Sequence, residues 1–163
     1  MVNGTSRNPK LKKWPAGVLG LLALIIVPAV HAGTTPETAA MSAAALILME
    51  DQADHAKPRD QCYLYTQLVD ALMERAARQV AAGDDVDAGK TVGRIDEVTA
   101  KVQRSAARDA RKLKNAEKML GESARKLNDL SRVANGGERD EMRATLHKLD
   151  AVHNKILSLV FQN

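Results

Sequence analysis

Apolar side chains return every three or four positions along most of this chain, and this periodicity limits the fold more than any other feature. An α-helix turns once in about 3.6 residues, so this spacing gathers apolar residues on one face, whereas a half-buried strand needs alternation at every second residue. From about Asp84 to Ala134 the pattern continues without a proline. The sequence therefore predicts an all-α fold in which long helices bury one face against each other.

Aromatic residues are almost absent from the chain after residue 32, where only Tyr63, Tyr65 and Phe161 occur. A core must therefore be built from Leu, Val, Ile, Met and Ala. This choice favours close-packed helices, because sheets are enriched in aromatic and β-branched residues.

The first 32 residues have the pattern of a cleavable signal peptide. Basic residues precede an uncharged run of 15 residues, 16–30, which is followed by a small-residue cleavage signal ending at Ala32. A membrane-spanning helix needs about 20 apolar residues, and Pro28 interrupts this run, so an uncleaved anchor is the weaker interpretation. We expect cleavage after Ala32, a periplasmic or secreted protein, and no stable membrane span after cleavage.

The positive charge of the whole chain belongs to this leader. The chain has 24 Lys and Arg and 20 Asp and Glu, and the leader holds four of the basic residues and none of the acids. The remainder therefore has 20 of each and a net charge near zero. The basic isoelectric point is then no indication of nucleic-acid binding, and no nucleic-acid partner is expected.

We expect residues 33–163 to form a single helical domain, an antiparallel bundle of four long helices. Pro36 and Pro58 mark helix boundaries, Gly83 and Asp84 indicate a tight turn, and the run from Asn135 to Gly137 separates the last two helices. The first helix would bury Met41 and Leu48 among others. The predicted helices lie at about 36–56, 60–82, 84–134 and 138–161.

The third predicted helix is long enough to demand a choice between two architectures. A continuous helix of 51 residues, 84–134, would measure about 76 Å, whereas a compact domain of this length has a radius of gyration of about 14 Å. Either the helix breaks near residues 105–112, where only alanines are apolar, or the molecule is elongated around one very long central helix. An elongated molecule would leave a bare hairpin at one end, and a second chain would cover it as a dimer.

No residue is predicted to be catalytic, and we expect the protein not to be an enzyme. The chain has no G-x-S-x-G motif and no Ser or Cys placed beside a base. Cys62 is the only cysteine, and its apolar neighbours favour a buried thiol over an intermolecular disulfide.

His147, Asp150 and His153 are the nearest approach to a metal-binding motif. The two histidines are six residues apart, so on a helix they point about 120° away from each other and cannot hold one ion. A haem is also not expected, because there is no C-x-x-C-H motif and methionine most often fills cores. We therefore predict no metal site and no cofactor.

Charge is distributed unevenly along the third predicted helix. Residues 84–100 hold five acids and two bases, whereas residues 101–134 hold ten bases and four acids. The basic half could be a binding face for an acidic partner protein, an anionic envelope polymer or a membrane headgroup. The alternative is that the charges only suit the helix dipole and solubility. The predicted binding face consists of Arg104, Arg108, Arg111, Lys118 and Arg125.

Four segments together resemble a group of uncharacterised exported helical proteins of acidobacterial type from soil bacteria. The segments are residues 60–69, the Ala82-Gly83 turn, residues 111–117 and residues 153–161. The resemblance covers about residues 58–162. It implies export and a helical fold, and it implies no activity and no functional residue.

The sequence thus predicts a non-catalytic helical protein of the periplasm or cell envelope that binds through its helix faces. A protein partner or self-association is expected, and an anionic envelope component is a further candidate. The alternative function is a helical bundle that binds a small ligand, a metal or haem.

Overall fold

The structure, a computed structural model, describes residues 41–107 and 109–162. Within them the chain forms helices and no strand, so the predicted all-α class is confirmed. The expected cleavage after Ala32 and the expected helix start at Pro36 lie outside the described residues. The helices are α1 (Ala43–Asp54), α2 (Pro58–Ala81), α3 (Asp85–Ser105), α4 (Leu113–Val133) and α5 (Gly136–Phe161).

The first helix buries a different face from the predicted one. Ser42 caps α1, because its side-chain oxygen accepts a hydrogen bond from the N–H of Ala45 (3.2 Å). Leu46 and Ala53 are buried, whereas Met41 and Leu48 are 38% and 57% exposed. The prediction was wrong because, among the described helices, α1 packs its backbone against α2 alone. A single neighbour covers only a narrow stripe.

Helix α2 begins at a proline, a residue that the first position of a helix accommodates. Pro58 is the first helical residue, where its missing N–H has no partner to lose, and Lys57 before it is extended. Asp60 lies in the first turn of α2. Its carboxylate there faces the positive end of the helix dipole.

The turn between α2 and α3 has the predicted residues in the predicted places. Gly83 has a φ of +72°, a left-handed conformation that costs glycine little. Asp84 then caps α3 by accepting a hydrogen bond from the N–H of Asp87 (3.3 Å). The last helix starts at Gly136, slightly before the expected position 138.

The long third helix of the prediction is two helices. Helix α3 ends at Ser105, whose hydroxyl donates to the carbonyl oxygens of Lys101 (2.9 Å) and Val102 (3.1 Å). Ala106 is extended and buried, and the connection 106–112 leads to α4. The break falls within residues 105–112, the segment that the sequence indicated, where alanines are the only apolar residues.

The two long hairpins pack side by side. In α2 and α3, which run antiparallel, the hydroxyl of Thr91 donates to Gln79 Oε1 (2.7 Å). Lys126 of α4 lies against Asp70 of α2 (3.3 Å), and Lys148 of α5 lies against Asp96 of α3 (2.8 Å).

Within the described residues, α2 therefore neighbours α3 and α4, and α5 also neighbours α3 and α4. The hairpin partners are antiparallel, whereas α2 runs parallel to α4 and α3 runs parallel to α5. The connection 106–112 crosses from α3 to α4 on a diagonal at the end of the bundle. The elongated alternative is wrong, since α4 folds back beside α2 in place of extending α3.

Aliphatic and methionine side chains fill the core, as the composition predicted. The apolar faces of α2, α4 and α5 are buried or half-buried, whereas Val133 and Phe161, at the helix ends, are 67% and 81% exposed. The largest fully buried side chains include Leu68, Met73, Ile95, Leu120, Leu127, Met142, Leu149 and Ile156.

Candidate functional site

Two connecting segments meet at one end of the bundle. The turn between α1 and α2 and the connection between α3 and α4 share this end, because α2 and α4 both start there. The N–H of Arg111 donates to the carbonyl oxygen of Arg59 (2.6 Å), and Arg59 Nε donates to the carbonyl oxygen of Asp109 (3.0 Å). These bonds hold side chains from two distant parts of the sequence next to each other.

A cleft of about 610 Å³, which we call the basic cleft, lies between the two segments. Its volume falls in the range of about 300–1,000 Å³ that is usual for ligand pockets. It is therefore large enough to accept a few side chains of a partner. The lining residues are His55, Ala56, Lys57, Asp60, Tyr63, Leu64, Gln67, Arg111 and Lys112.

Cations outnumber carboxylates in the basic cleft. Lys57, Arg111 and Lys112 line it, and Asp60 is the one carboxylate among its described lining residues. Arg111 Nη1 lies 3.6 Å from Asp60 Oδ1. Exposed ion pairs of this kind contribute about 0–1 kcal/mol, so Arg111 can exchange this carboxylate for another at little cost.

Lys112 and Tyr63 form the most specific contact of the cleft. Lys112 Nζ lies 4.4 Å from the centroid of the Tyr63 ring, within the range of a cation–π interaction. The backbone of Lys112 has a φ of +57°, which costs a residue with a side chain about 1–2 kcal/mol. Strained residues often lie at binding sites, where the surrounding structure enforces their conformation.

His55 adds a charge that depends on pH. Its Nδ1 lies 2.9 Å from the carbonyl oxygen of Asp51 and 3.2 Å from the carboxylate of the same residue. The hydrogen bond to the Asp51 backbone, and then the charge of Asp51, raise the pKa of His55 above its ordinary value of 6.5. The cleft therefore becomes more positive as the pH falls towards that range.

The five residues of the predicted binding face are divided among several places. Arg104 is exposed at the end of α3, and Arg111 lies in the basic cleft. Lys118 and Arg125 share one face of α4, seven residues apart, with Lys118 3.9 Å from Glu122. Arg108 lies outside the described residues. The break between α3 and α4 is the reason that these side chains do not form one continuous helix face.

The three residues of the candidate metal site do not share an environment. His147 and Asp150 are exposed, whereas His153 is half-buried and its Nε2 lies 2.9 Å from Glu117 Oε1 of α4. Gly121 leaves the space for that ring, since an added Cβ would lie 3.3 Å from His153 Nε2. Among the described residues, no group of three or more His, Cys, Asp or Glu side chains is placed to hold a metal ion.

Cys62 is free and fully buried, as predicted. Burial raises the pKa of Cys62 from 9.0 to about 11. The thiol is therefore protonated and out of reach at neutral pH, so in this structure it is part of the core and cannot act as a nucleophile.

A second polar cluster, which the sequence did not indicate, joins α1 to α2 and α3. Lys101 Nζ donates to Glu50 Oε1 (2.9 Å) and to Asp54 Oδ1 (2.8 Å). The hydroxyl of Tyr65 donates to Asp54 Oδ1 (2.5 Å), and Arg94 pairs with Glu50. Hydrogen bonds from Lys101 and then Tyr65 lower the pKa of Asp54. We call these five residues the α1 clamp.

Sequence reasoning missed Lys57, Tyr63 and Lys112 as members of one site. A signal was present, since in a bundle of alternating helices every second connection lies at the same end. The helix boundary at Pro58 and the alanine-rich break at 106–112 are two such connections. Counting basic residues near them would have indicated a cluster of charge at that end.

The fold and the cleft define an all-helical protein with a cationic recess at one end of its bundle. Comparison with family models, with curated proteins and with solved structures found no match to this chain. Within residues 41–107 and 109–162, no helix combines the length and the hydrophobicity that a membrane span requires.

Proposed function

We propose that this protein is an exported, non-catalytic interaction protein that holds an acidic segment of a partner protein in the basic cleft. The supporting observation is the placement of Lys57, Arg111 and Lys112 around a recess with Asp60 as its described lining carboxylate. Arginine binds carboxylates through two parallel hydrogen bonds, and lysine adds a mobile charge.

The other surfaces of the cleft favour a peptide over other anions. Tyr63 and Leu64 supply an aromatic and an aliphatic wall beside the cations, which suits the mixed side chains of a polypeptide. Single-stranded nucleic acid requires several stacking platforms, and Tyr63 is the one aromatic side chain of this cleft among the described residues. Binding of an envelope polymer or a lipid headgroup in place of a peptide would be a different result of the binding test.

Export is the part of the proposal that depends on the leader. The basic start, the uncharged run of residues 16–30 and the small-residue ending at Ala32 support it. Mass spectrometry of the protein from a periplasmic or secreted fraction should give a first residue of Gly33. A mature chain that retains residues 1–32 would contradict export by cleavage.

The binding test uses defined probes and two charge-matched double variants. A fluorescent Glu-rich peptide is titrated against the protein, then against Lys57→Glu with Arg111→Glu. The control is Arg78→Glu with Arg132→Glu, which reverses two exposed arginines outside the cleft. We expect the cleft variant to weaken binding by at least about tenfold and the control to retain it.

The remaining outcomes decide among partners. Equal losses in both double variants would contradict the cleft and indicate general charge attraction. Preferential binding to anionic vesicles or to an anionic polysaccharide would contradict a peptide partner. Circular dichroism of each variant checks that the helices persist, and Lys57→Gln with Arg111→Gln repeats the test without placing a carboxylate beside Asp60.

The prediction of self-association is separate from the basic cleft, and the described residues do not have the elongated shape that supported it. It relied on a bare hairpin at the end of an elongated molecule, and α4 and α5 instead pack against α2 and α3. Sedimentation velocity of the processed protein tests it directly. A helical bundle that binds a small ligand is the second candidate function, and an apolar pocket between α1, α2 and α3 favours it.

A further inference from the structure

An apolar pocket of about 200 Å³ lies between α1, α2 and α3, separate from the basic cleft. Ala43, Leu46 and Ile47 line it from α1, and Leu68 and Leu72 line it from α2. An engineered cavity of about 150 Å³ in another protein holds benzene, so this pocket has room for a ring or for a chain of about six carbons.

Ile47, one of the residues that line the pocket, is 69% exposed. Isolated apolar side chains on a surface are ordinary, but this one borders a recess that is itself apolar. A hydrocarbon tail in the pocket would cover Ile47 as well as the deeper leucines. The apolar part of a ligand thus has a defined place.

The charged residues that line the pocket are Glu50, Arg75, Lys90 and Arg94, and among the described residues Arg75 is the one that has no ion-pair partner. Lys90 pairs with Asp87 (2.7 Å), and Arg94 pairs with both Glu50 and Glu97. Arg75 is half-buried and lines the same pocket.

Among the described residues, no carboxylate lies within ion-pair distance of Arg75. Lys90 is the main cause that lowers the pKa of Asp87, and Arg75 is the smallest of the causes, so Arg75 acts on that carboxyl only from a distance. The pocket therefore combines apolar walls with a single available guanidinium at its edge. Guanidinium binds a carboxylate through two parallel hydrogen bonds.

We propose that this pocket binds a small amphipathic monocarboxylate of about six carbons, with its tail among Leu46, Leu68 and Leu72 and its carboxylate on Arg75. The class includes short-chain fatty acids and simple aromatic acids. The site is independent of the proposed function, because it shares no residue with the basic cleft.

Hexanoate is the probe, and its binding is followed by chemical shifts of backbone amides. Acetate has the charge without the tail, and hexylammonium has the tail with the opposite charge. We expect saturable shifts in α1 and around Arg75 and Thr91 with hexanoate, none with acetate, and binding at least about tenfold weaker with hexylammonium. Equal binding of hexanoate and hexylammonium would overturn the role of Arg75.

Two variants and a matched control complete the test. Arg75→Gln should weaken hexanoate binding by about tenfold, whereas Arg78→Gln, one turn along the exposed side of α2, should not. Ala43→Leu places extra carbon at the pocket edge and should also reduce binding. Hexanoate binding that survives both Arg75→Gln and Ala43→Leu would overturn the site.

The two proposals fail separately. Arg75→Gln should leave binding of the Glu-rich peptide unchanged, and Lys57→Glu with Arg111→Glu should leave hexanoate binding unchanged. Loss of both ligands in either variant would contradict the independence of the two sites.

Discussion

Lys112 has a left-handed backbone, with φ at +57° and ψ at +32°, at the start of α4. Glycine adopts this conformation freely, and a residue with a Cβ does not. The chain nevertheless places lysine there, and its ammonium lies over Tyr63. The strain is thus located at the wall of the basic cleft, where the side chain has a use.

The strain can be measured with two variants that both remove the ammonium. Lys112→Gly should be more stable than Lys112→Ala by about 1 kcal/mol, because only glycine relieves the left-handed backbone. Urea unfolding of both variants checks the difference. An alanine variant that equals or exceeds the glycine variant in stability would show that the conformation is unstrained.

Cys62 should respond to alkaline pH in a direction fixed by its raised pKa. Its folded-state pKa of about 11 lies above the ordinary 9.0, so the folded protein keeps a proton that the unfolded chain releases. The contribution to the free energy of unfolding is complete below about pH 9 and is lost as the pH rises through about 11.

Comparison with Cys62→Ala isolates this effect from other groups that titrate at high pH. The wild type should lose more stability than the variant between neutral and alkaline pH in thermal or urea unfolding. In addition, iodoacetamide should alkylate Cys62 slowly in the native protein and rapidly in denaturant. Rapid native alkylation would mean that the thiol is accessible.

His55 should make binding of the Glu-rich peptide depend on pH. Its raised pKa means that, as the pH falls, it gains a proton at a higher pH than a histidine with the ordinary pKa of 6.5, which adds positive charge to the cleft. Affinity should therefore increase as this proton is gained. His55→Gln should remove most of the increase, whereas His147→Gln, on an exposed face of α5, should leave it intact.

At the scale of elements, α1 is the helix with the least backbone packing in the described part of the chain. Its backbone packs closely against α2 alone, whereas side chains connect it to α3, and its outer side chains Ile47 and Leu48 are largely exposed. The α1 clamp supplies the attachment that packing does not. Burial opposes the charge of Lys101, but the hydrogen bonds that it donates to Asp54 and Glu50 outweigh this and raise its pKa.

Lys101→Gln should therefore loosen α1 before it affects the bundle. The variant should lose about 1 kcal/mol of stability, since the partners are partly solvated, and amides of α1 should exchange with solvent faster than those of α4. Lys114→Gln, on an exposed position of α4, is the control. Uniform acceleration of exchange in both helices would show that α1 is not a separate unit.

At the scale of the whole molecule, the decisive event is the break between α3 and α4. It returns α4 to lie beside α2, so that both hairpins bury their faces within one chain. It also brings Arg111 and Lys112 against the start of α2. The same break therefore completes the core and creates the basic cleft.

Small-angle scattering of residues 33–163 tests the break directly. A compact domain of this length should give a radius of gyration of about 14 Å. A continuous helix of residues 84–134 would be about 76 Å long and would alone give about 22 Å. A value close to the larger figure would contradict the folded-back arrangement.

The sequence by itself determined the helices and most of their buried faces. Recurrence of Leu68, Leu120 and Leu149 with their neighbours at three- and four-residue spacing is a local property, and any helix that forms must place them on one side. The turn at Gly83 was equally predictable, because glycine adopts a left-handed backbone at little cost, and this property does not depend on the rest of the fold.

Only the tertiary structure decided which faces meet. The narrow buried face of α1 depends on the close backbone packing of α1 against a single helix, α2, and the burial of Ala106 depends on the diagonal crossing after Ser105. The basic cleft joins Lys57 to Lys112, and the α1 clamp joins Glu50 to Lys101. Contacts between residues so far apart in the chain arise from the packing of whole helices, which no local periodicity encodes.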